Sequence, residues 1–171
     1  MPAGLPVRPT TDLAKESLFN ILENRIELEG ARALDLFSGT GSIAYELVSR
    51  ACNAVTAVDN NSKCIQYIIK TANLFQMNEL LAIKADVFRF LSIQKIPFDF
   101  IFADPPYDLD AKDYHKLALI IFERKLLKPE GILVIEHHKQ IDYSKHPGFT
   151  EMRNYGKVHF SFFEAERPLS D

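Results

Sequence analysis

Cysteine is scarce in this 171-residue chain, and the two copies, Cys52 and Cys64, have no metal-ligand spacing and no Pro-Cys pair. They read as reduced packing residues, which fits a cytoplasmic protein without a bound metal. No stretch approaches the roughly 20 apolar residues of a membrane span, so no membrane association is expected. The opening "MPAGLPVRPTTD" lacks the basic and apolar regions of a signal peptide. Repeats and low-complexity tracts are absent too. Positive charge is not in excess: 20 Lys and Arg stand against 23 Asp and Glu, a net charge of −3. That argues against a broad electrostatic grip on nucleic acid, while leaving room for a local basic face. Arg8, Lys15, Lys112, Lys139, Lys145, Arg153 and Lys157 are scattered and read first as solvated charges.

What is present is ordinary for a soluble globular protein: 47% hydrophobic and 25% charged residues. The length suits one domain over 1–171, with an N-terminal segment and helix (1–28) and a core (29–171). Nothing in the pattern demands a partner for that core, so a monomer is expected. "RPTTDLAKESLFNILENRI" reads as a helix capped by Thr10 or Thr11, with Ala14, Leu18, Ile21, Leu22 and Arg25 at helical spacing. Strands follow at "RALDLF", "AVTAVD", "LLAIKAD" and "FDFIFAD", each succeeded by a helical pattern. Tyr114, Leu117, Ile121 and Leu126 mark the last of those helices, and Pro129-Glu130-Gly131 turns it into the strand "ILVIEHH". The end alternates, "FTEMRNYGKVHFSFFEAE", as a β-hairpin turning at Tyr155-Gly156. Alternating strands and helices specify an α/β, Rossmann-like, doubly wound sheet, mostly parallel and covered on both faces. Ligands bind such sheets at the C-terminal ends of the strands, near the switch point.

Those ends carry Ser38-Gly39-Thr40-Gly41, Asp59, Asp86 and Asp104-Pro105-Pro106-Tyr107. "GTGSIA" fits the G-x-G-x-x-[GA] pattern of nucleotide-binding loops, and Asp59 follows Gly39 by 20 positions, as a ribose-gripping carboxylate would. The loop alone does not choose between NAD and S-adenosylmethionine. NAD brings a pyrophosphate that gains from a helix N-terminus. S-adenosylmethionine brings a sulfonium and an amino group that gain from carboxylates. Asp35, inside the first strand, is costly beside an anion and reasonable beside a cation. It can also bind backbone amides of the loop. No Tyr-x-x-x-Lys or similar hydride-transfer set accompanies the loop.

Pro105 and Pro106 stop a buried strand at once, because neither can donate to a ladder. By itself Asp-Pro-Pro is also a stiff turn. The chemistry of an amine acceptor gives it a second use. The lone pair of a nucleobase amine is delocalised, and two fixed acceptors favour its turning tetrahedral. The Asp104 carboxylate and the Pro105 carbonyl suit that task, with the prolines as preorganisation. Tyr107 offers a flat face to a base. Asp104 or water can take the proton.

A fold of this kind with a glycine loop, acidic strand ends and D-P-P-Y resembles the class I S-adenosylmethionine-dependent amino-methyltransferases, with a seven-stranded sheet. Asp rather than Asn at position 104 points to nucleobases, since the glutamine-methylating enzymes typically carry N-P-P-Y. The lack of Pro-Cys argues against cytosine C5 chemistry. More narrowly, "LPVRPTTDLAKESLFNIL" with "ALDLFSGTGSIAYELVSRA" resembles the bacterial RsmD family, over nearly the whole chain from Leu5 to about Phe163. That resemblance implies methylation of the exocyclic N2 of one guanine in 16S ribosomal RNA, within the small subunit or an assembly intermediate. S-adenosylmethionine is then the cofactor and S-adenosylhomocysteine the product. It places Asp35, Phe37, Ser38, Gly39, Thr40 and Gly41 in the cofactor loop, Asp59 with Asn60 at the ribose, and Asp86 with Val87 at the adenine edge. Asp104, Pro105, Pro106 and Tyr107 match the catalytic motif, and Arg8, Thr10 and Thr11 match a segment near the target base. D-P-P-Y alone also fits adenine-N6 enzymes, and a non-catalytic RNA-binding protein on the same fold stays open. Two departures stand out. Only "MPAGLPV" precedes Arg8, where family members carry a basic stretch, which lowers the expected RNA affinity. Ala51 stands where many members have glycine. His137 and His138 end the fifth strand, and adjacent strand residues face opposite ways, so a surface role first, and then one histidine near the substrate groove, is favoured over metal ligation.

Overall fold

The computed structural model describes residues 12–166. Seven strands form one sheet in the order β3-β2-β1-β4-β5-β7-β6. They are β1 (Arg32–Leu36), β2 (Ala54–Asp59), β3 (Leu80–Lys84), β4 (Phe98–Ala103), β5 (Leu127–His137), β6 (Phe149–Tyr155) and β7 (Val158–Glu164). Strands β1 to β5 pair in parallel, and β7 runs antiparallel between β5 and β6. The helices are α1 (Asp12–Leu22), α2 (Ser42–Ser49), α3 (Ser62–Leu74), α4 (Val87–Ile93) and α5 (Ala111–Glu123). The Rossmann-like α/β expectation therefore holds.

Period-two alternation sorts the core onto the two faces. Ala33, Val55, Ala57, Phe100, Phe102 and Val134 pack with α1, α2 and α3. Leu34, Val58, Ile101, Ala103, Leu133 and Ile135 pack with α4 and α5. Both cysteines are free and buried, and burial pushes the Cys52 thiol up to about 11. They are packing residues.

Four expected boundaries shift. The first helix ends at Leu22 rather than running through Arg25, because Arg25 and Ile26 both donate back to the Leu22 carbonyl in a closing turn. Its expected caps, Thr10 and Thr11, lie outside the described residues. Leu126 is not on α5: the helix stops at Glu123, and Leu126 is buried just past its end. The Pro129-Glu130-Gly131 turn is an irregularity inside β5, where the pairing jumps from Phe98↔Leu127 to Phe100↔Ile132. Glu130 takes φ 62 there, and a Cβ on Gly131 would lie 2.8 Å from the Lys128 carbonyl oxygen. The final hairpin turns at Gly156-Lys157, with Gly156 at φ 67.

The winding reverses at β1, which has β2 on one side and β4 on the other. The crevice at the C-terminal ends of β1 and β4 is the site that such a sheet offers.

Candidate active site

A cavity of about 750 Å³ opens at those strand ends. Asp35, Phe37, Ser38, Gly39, Thr40, Asp59, Asn60, Asp86, Val87, Asp104, Pro105, Pro106 and Tyr107 all line it. Thirteen of the fourteen site residues expected within the described part of the chain thus line one cavity. The exception is Gly41. At φ 83 it caps α2, and a Cβ there would sit 2.9 Å from both Ile68 Cγ1 and the Tyr45 ring. Its missing side chain serves the close approach of α2 to α3. Arg8, Thr10 and Thr11 lie outside the described residues.

The loop after β1 is shaped by carboxylates as much as by glycine. Phe37 and Gly39 take φ 57 and 52. The Asp59 Oδ2 accepts from the Gly39 N–H at 2.8 Å, and its Oδ1 from the Asn61 N–H at 2.7 Å. Asp59 therefore ties the first strand-end loop to its own, with lone pairs left for a ligand. Asp35 is 2% exposed, and its Oδ2 accepts from the Ala44 N–H at 3.2 Å. It binds a loop amide and lines the cavity as well. Burial pushes its carboxyl up to about 8; the Ala44 N–H pulls against this and the neighbouring Asp59 adds to it. Asp86 caps α4, accepting from the Arg89 N–H at 2.9 Å. Ser38 Oγ is buried on the cavity wall with no hydrogen-bond partner among the described residues. Buried hydroxyls are seldom left so, and a ligand's polar group would satisfy this one.

On the other side, the Asp104 N–H donates to the Leu36 carbonyl, extending the β1–β4 ladder by one step before the prolines end it. The Leu109 N–H donates to the Pro106 carbonyl. Tyr114 of α5 reaches the same loop, its hydroxyl 3.4 Å from Pro105 O and 3.3 Å from Pro106 O. Burial, then the nearby Asp104, holds the Tyr114 hydroxyl above the usual phenol range, so it remains a donor. The Tyr143 hydroxyl donates to the Tyr114 carbonyl at 2.9 Å. Tyr107 is 44% exposed at the mouth, its ring centroid 6.3 Å from that of His138.

The expected surface role fails for His137, the last residue of β5, and His138, just past the strand, is half-buried. His137 is buried and neutral, lowered to about 4 by burial. Its Nδ1–H donates to the His138 carbonyl, and its Nε2 accepts from the Ser161 hydroxyl, both at 2.8 Å. His138 lies beside Tyr107 and Tyr114.

Sequence reasoning missed Glu136, Tyr114 and Tyr143. Glu136 had a signal: it is a carboxylate at the end of β5, like the acids that end β2 and β4. Ser42, Ile43, Asn61, Phe88, Phe102, Leu109 and Val158 complete the lining and carried none.

Residues 1–164 match the family described as Conserved hypothetical protein 95. YlbH of Bacillus subtilis, a protein named for rRNA methylation, is 32% identical over 161 residues, covering 90% of this chain and 85% of its own. The ribosomal RNA small subunit methyltransferase D of Buchnera aphidicola (subspecies Baizongia pistaciae) is 27% identical over 161 residues, covering 92% and 81%. The crystal structure of an RNA methyltransferase from Salinibacter ruber in complex with S-adenosyl-L-homocysteine has the same fold: TM-score 0.71, 15% identity, 96% of this chain and 97% of that one. These matches leave no place for the NAD-dependent alternative. The chain belongs to this family and is an RsmD-like methyltransferase.

Proposed function

We propose that the chain acts as one catalytic unit in the cytoplasm, as a monomer, and transfers a methyl group to the exocyclic N2 amine of a guanine in 16S ribosomal RNA. The small ribosomal subunit, or an intermediate in its assembly, is the proposed substrate form. The observation that carries this reading is the rigid Asp104-Pro105-Pro106-Tyr107 end of β4, facing Asp35 and Asp59 across one cavity.

The donor set fits S-adenosylmethionine. The orphaned Ser38 hydroxyl and the buried Asp35 suit its amino-acid end, Asp59 its ribose, and Asp86 with Val87 its adenine. When bound, the cofactor supplies an electrophilic methyl group on a sulfonium and leaves as S-adenosylhomocysteine. The chain does the rest. Asp59 keeps the loop closed through Gly39 while its remaining lone pairs accept ribose hydroxyls. Tyr107 stacks on the target base. Asp104 and the Pro105 carbonyl accept the two amine hydrogens, which frees the nitrogen lone pair. Asp104 or water then takes the surplus proton.

The test is methyl transfer from labelled cofactor to unmodified small subunits, naked small-subunit RNA, transfer RNA and DNA, with digestion and mass spectrometry of the product. N2-methylguanine at one site in the ribosomal RNA is expected. N6-methyladenine would replace this reading with the adenine one. Asp104→Ala is expected to lose about 100-fold or more in turnover while binding S-adenosylhomocysteine within about twofold of the wild type. Normal turnover by that variant would refute the catalytic assignment.

A further inference from the structure

Glu136, the penultimate residue of β5, has only 5% exposure, yet it lines the active-site cavity. The register explains its direction. Ala103 pairs with Ile135, so one step further along the parallel strands Asp104 stands beside Glu136. Phe102 and Val134, two residues earlier on each strand, pack on the α1–α3 face. Period two turns Asp104 and Glu136 to that same face, on strands about 4.8 Å apart. Two carboxylates side by side make a wall of acceptors, and a partner suits it only by presenting donors in a row.

Guanine does. Its N2 amine and the adjoining N1–H form a contiguous donor edge, so Asp104 takes the amine and Glu136 the N1–H. Adenine presents its N6 amine beside N1, which is an acceptor. N1 would then face the Glu136 carboxylate with no proton between them, and a buried acceptor left unpaired is costly. Resting on the proposed methylation of guanine, we propose that Glu136 is the residue that selects guanine, by accepting a hydrogen bond from N1–H.

The probe is 2-aminopurine, which keeps the exocyclic amine but has an acceptor in place of N1–H. It is ligated into small-subunit RNA at the methylated position and assayed both naked and assembled into subunits. The wild type is expected to prefer guanine in kcat/KM by about 100-fold. Glu136→Gln keeps the side-chain shape but adds an N–H that can face an acceptor. It is expected to cut that preference at least tenfold, while the KM for the cofactor stays within twofold. A merely structural role would slow both substrates alike and leave the ratio unchanged, and that result overturns the proposal. If Glu136→Gln does not fold, the wild-type ratio decides: equal use of guanine and 2-aminopurine overturns it. A product other than N2-methylguanine overturns the underlying function instead, and the nucleoside analysis separates that failure from an unchanged ratio.

Discussion

Under β1, β2 and β3 each carboxylate of the cavity is fastened by backbone N–H groups, whereas the Asp-Pro-Pro-Tyr stretch after β4 adds side-chain support to its two backbone bonds. Asp35 holds Ala44, Asp59 holds Gly39 and Asn61, and Asp86 holds Arg89. The stretch after β4 instead receives the Tyr114 hydroxyl, itself backed by Tyr143, with His138 beside Tyr107. Backbone anchoring gives fixed acceptors for a ligand held in the ground state. Side-chain anchoring suits a loop whose carbonyl must strengthen its hydrogen bond as the amine changes geometry. The first half should therefore govern cofactor affinity and the second turnover.

The largest break in that division is Asp59→Ala. It removes the acceptor for two backbone N–H groups and the ribose ligand together. Each lost bond is worth about 1–1.5 kcal/mol, so S-adenosylhomocysteine affinity is expected to fall by about 100-fold in calorimetric titration. Turnover at saturating cofactor should change far less. Tyr114→Phe is the mirror image: turnover falls about three- to tenfold, and cofactor affinity is unmoved. Should either variant shift both quantities equally, the two halves are not separate devices.

The same division decides what the sequence made legible. Asp59 is recognisable by its 20-residue spacing from Gly39, whose N–H it holds, and Asp86 as a strand-end acid that caps the next helix three residues on. The mostly parallel, doubly wound sheet follows from the alternating strand and helix patterns and the right-handed winding of parallel strands, whereas the order of its strands comes from the structure. Tyr114 lies 29 residues from Tyr143. On α5 it keeps the same spacing as Leu117 and Ile121, so it reads as core, which by burial it also is. Its hydroxyl is the functional part, and helical periodicity carries no information about a hydroxyl. Gly41 errs the other way: a glycine in a nucleotide-loop pattern, it is required by the packing of Ile68 and Tyr45.

Asp35 sharpens the comparison through pH. Burial pushes its carboxyl up to about 8 in the fold, from the usual carboxylate range near 4 in the unfolded chain. Between those values the native state binds more protons than the unfolded chain, so stability from this group declines as pH rises from about 4 to about 8. Asp35→Asn leaves no charge to bury and keeps an oxygen for the Ala44 N–H. Its melting temperature is expected to exceed the wild type's by about 2–4 °C at pH 9, for each kcal/mol recovered, and to match it near pH 4. Cofactor affinity should drop, since the cationic end loses its counter-charge. Equal melting at both pH values would mean that Asp35 is not strained in the free protein.

The smallest expected effect lies at the opposite edge of the sheet, away from both halves. Helices α2, α3 and α5 all end in the same closure. The N–H of Cys52, Met77 and Leu126 reaches back to the carbonyl of Leu47, Ala72 and Ile121, and the preceding N–H to Val48, Asn73 and Phe122. This closure places its middle residue in the left-handed region, where glycine is usual. Here the residues are Ala51, Gln76 and Lys125, at φ 63, 55 and 53. The left-handed conformation costs a side-chain-bearing residue roughly 1–2 kcal/mol, and glycine gives back part of that through its freer unfolded chain. Each substitution to glycine should thus gain about 0.5 kcal/mol. The three closures share no hydrogen-bond partners, so the triple variant should gain about 1.5 kcal/mol in urea unfolding. Its S-adenosylhomocysteine affinity and turnover should be those of the wild type. A triple variant that gains stability and loses turnover would show that the catalytic loop depends on strain stored at the far ends of the helices.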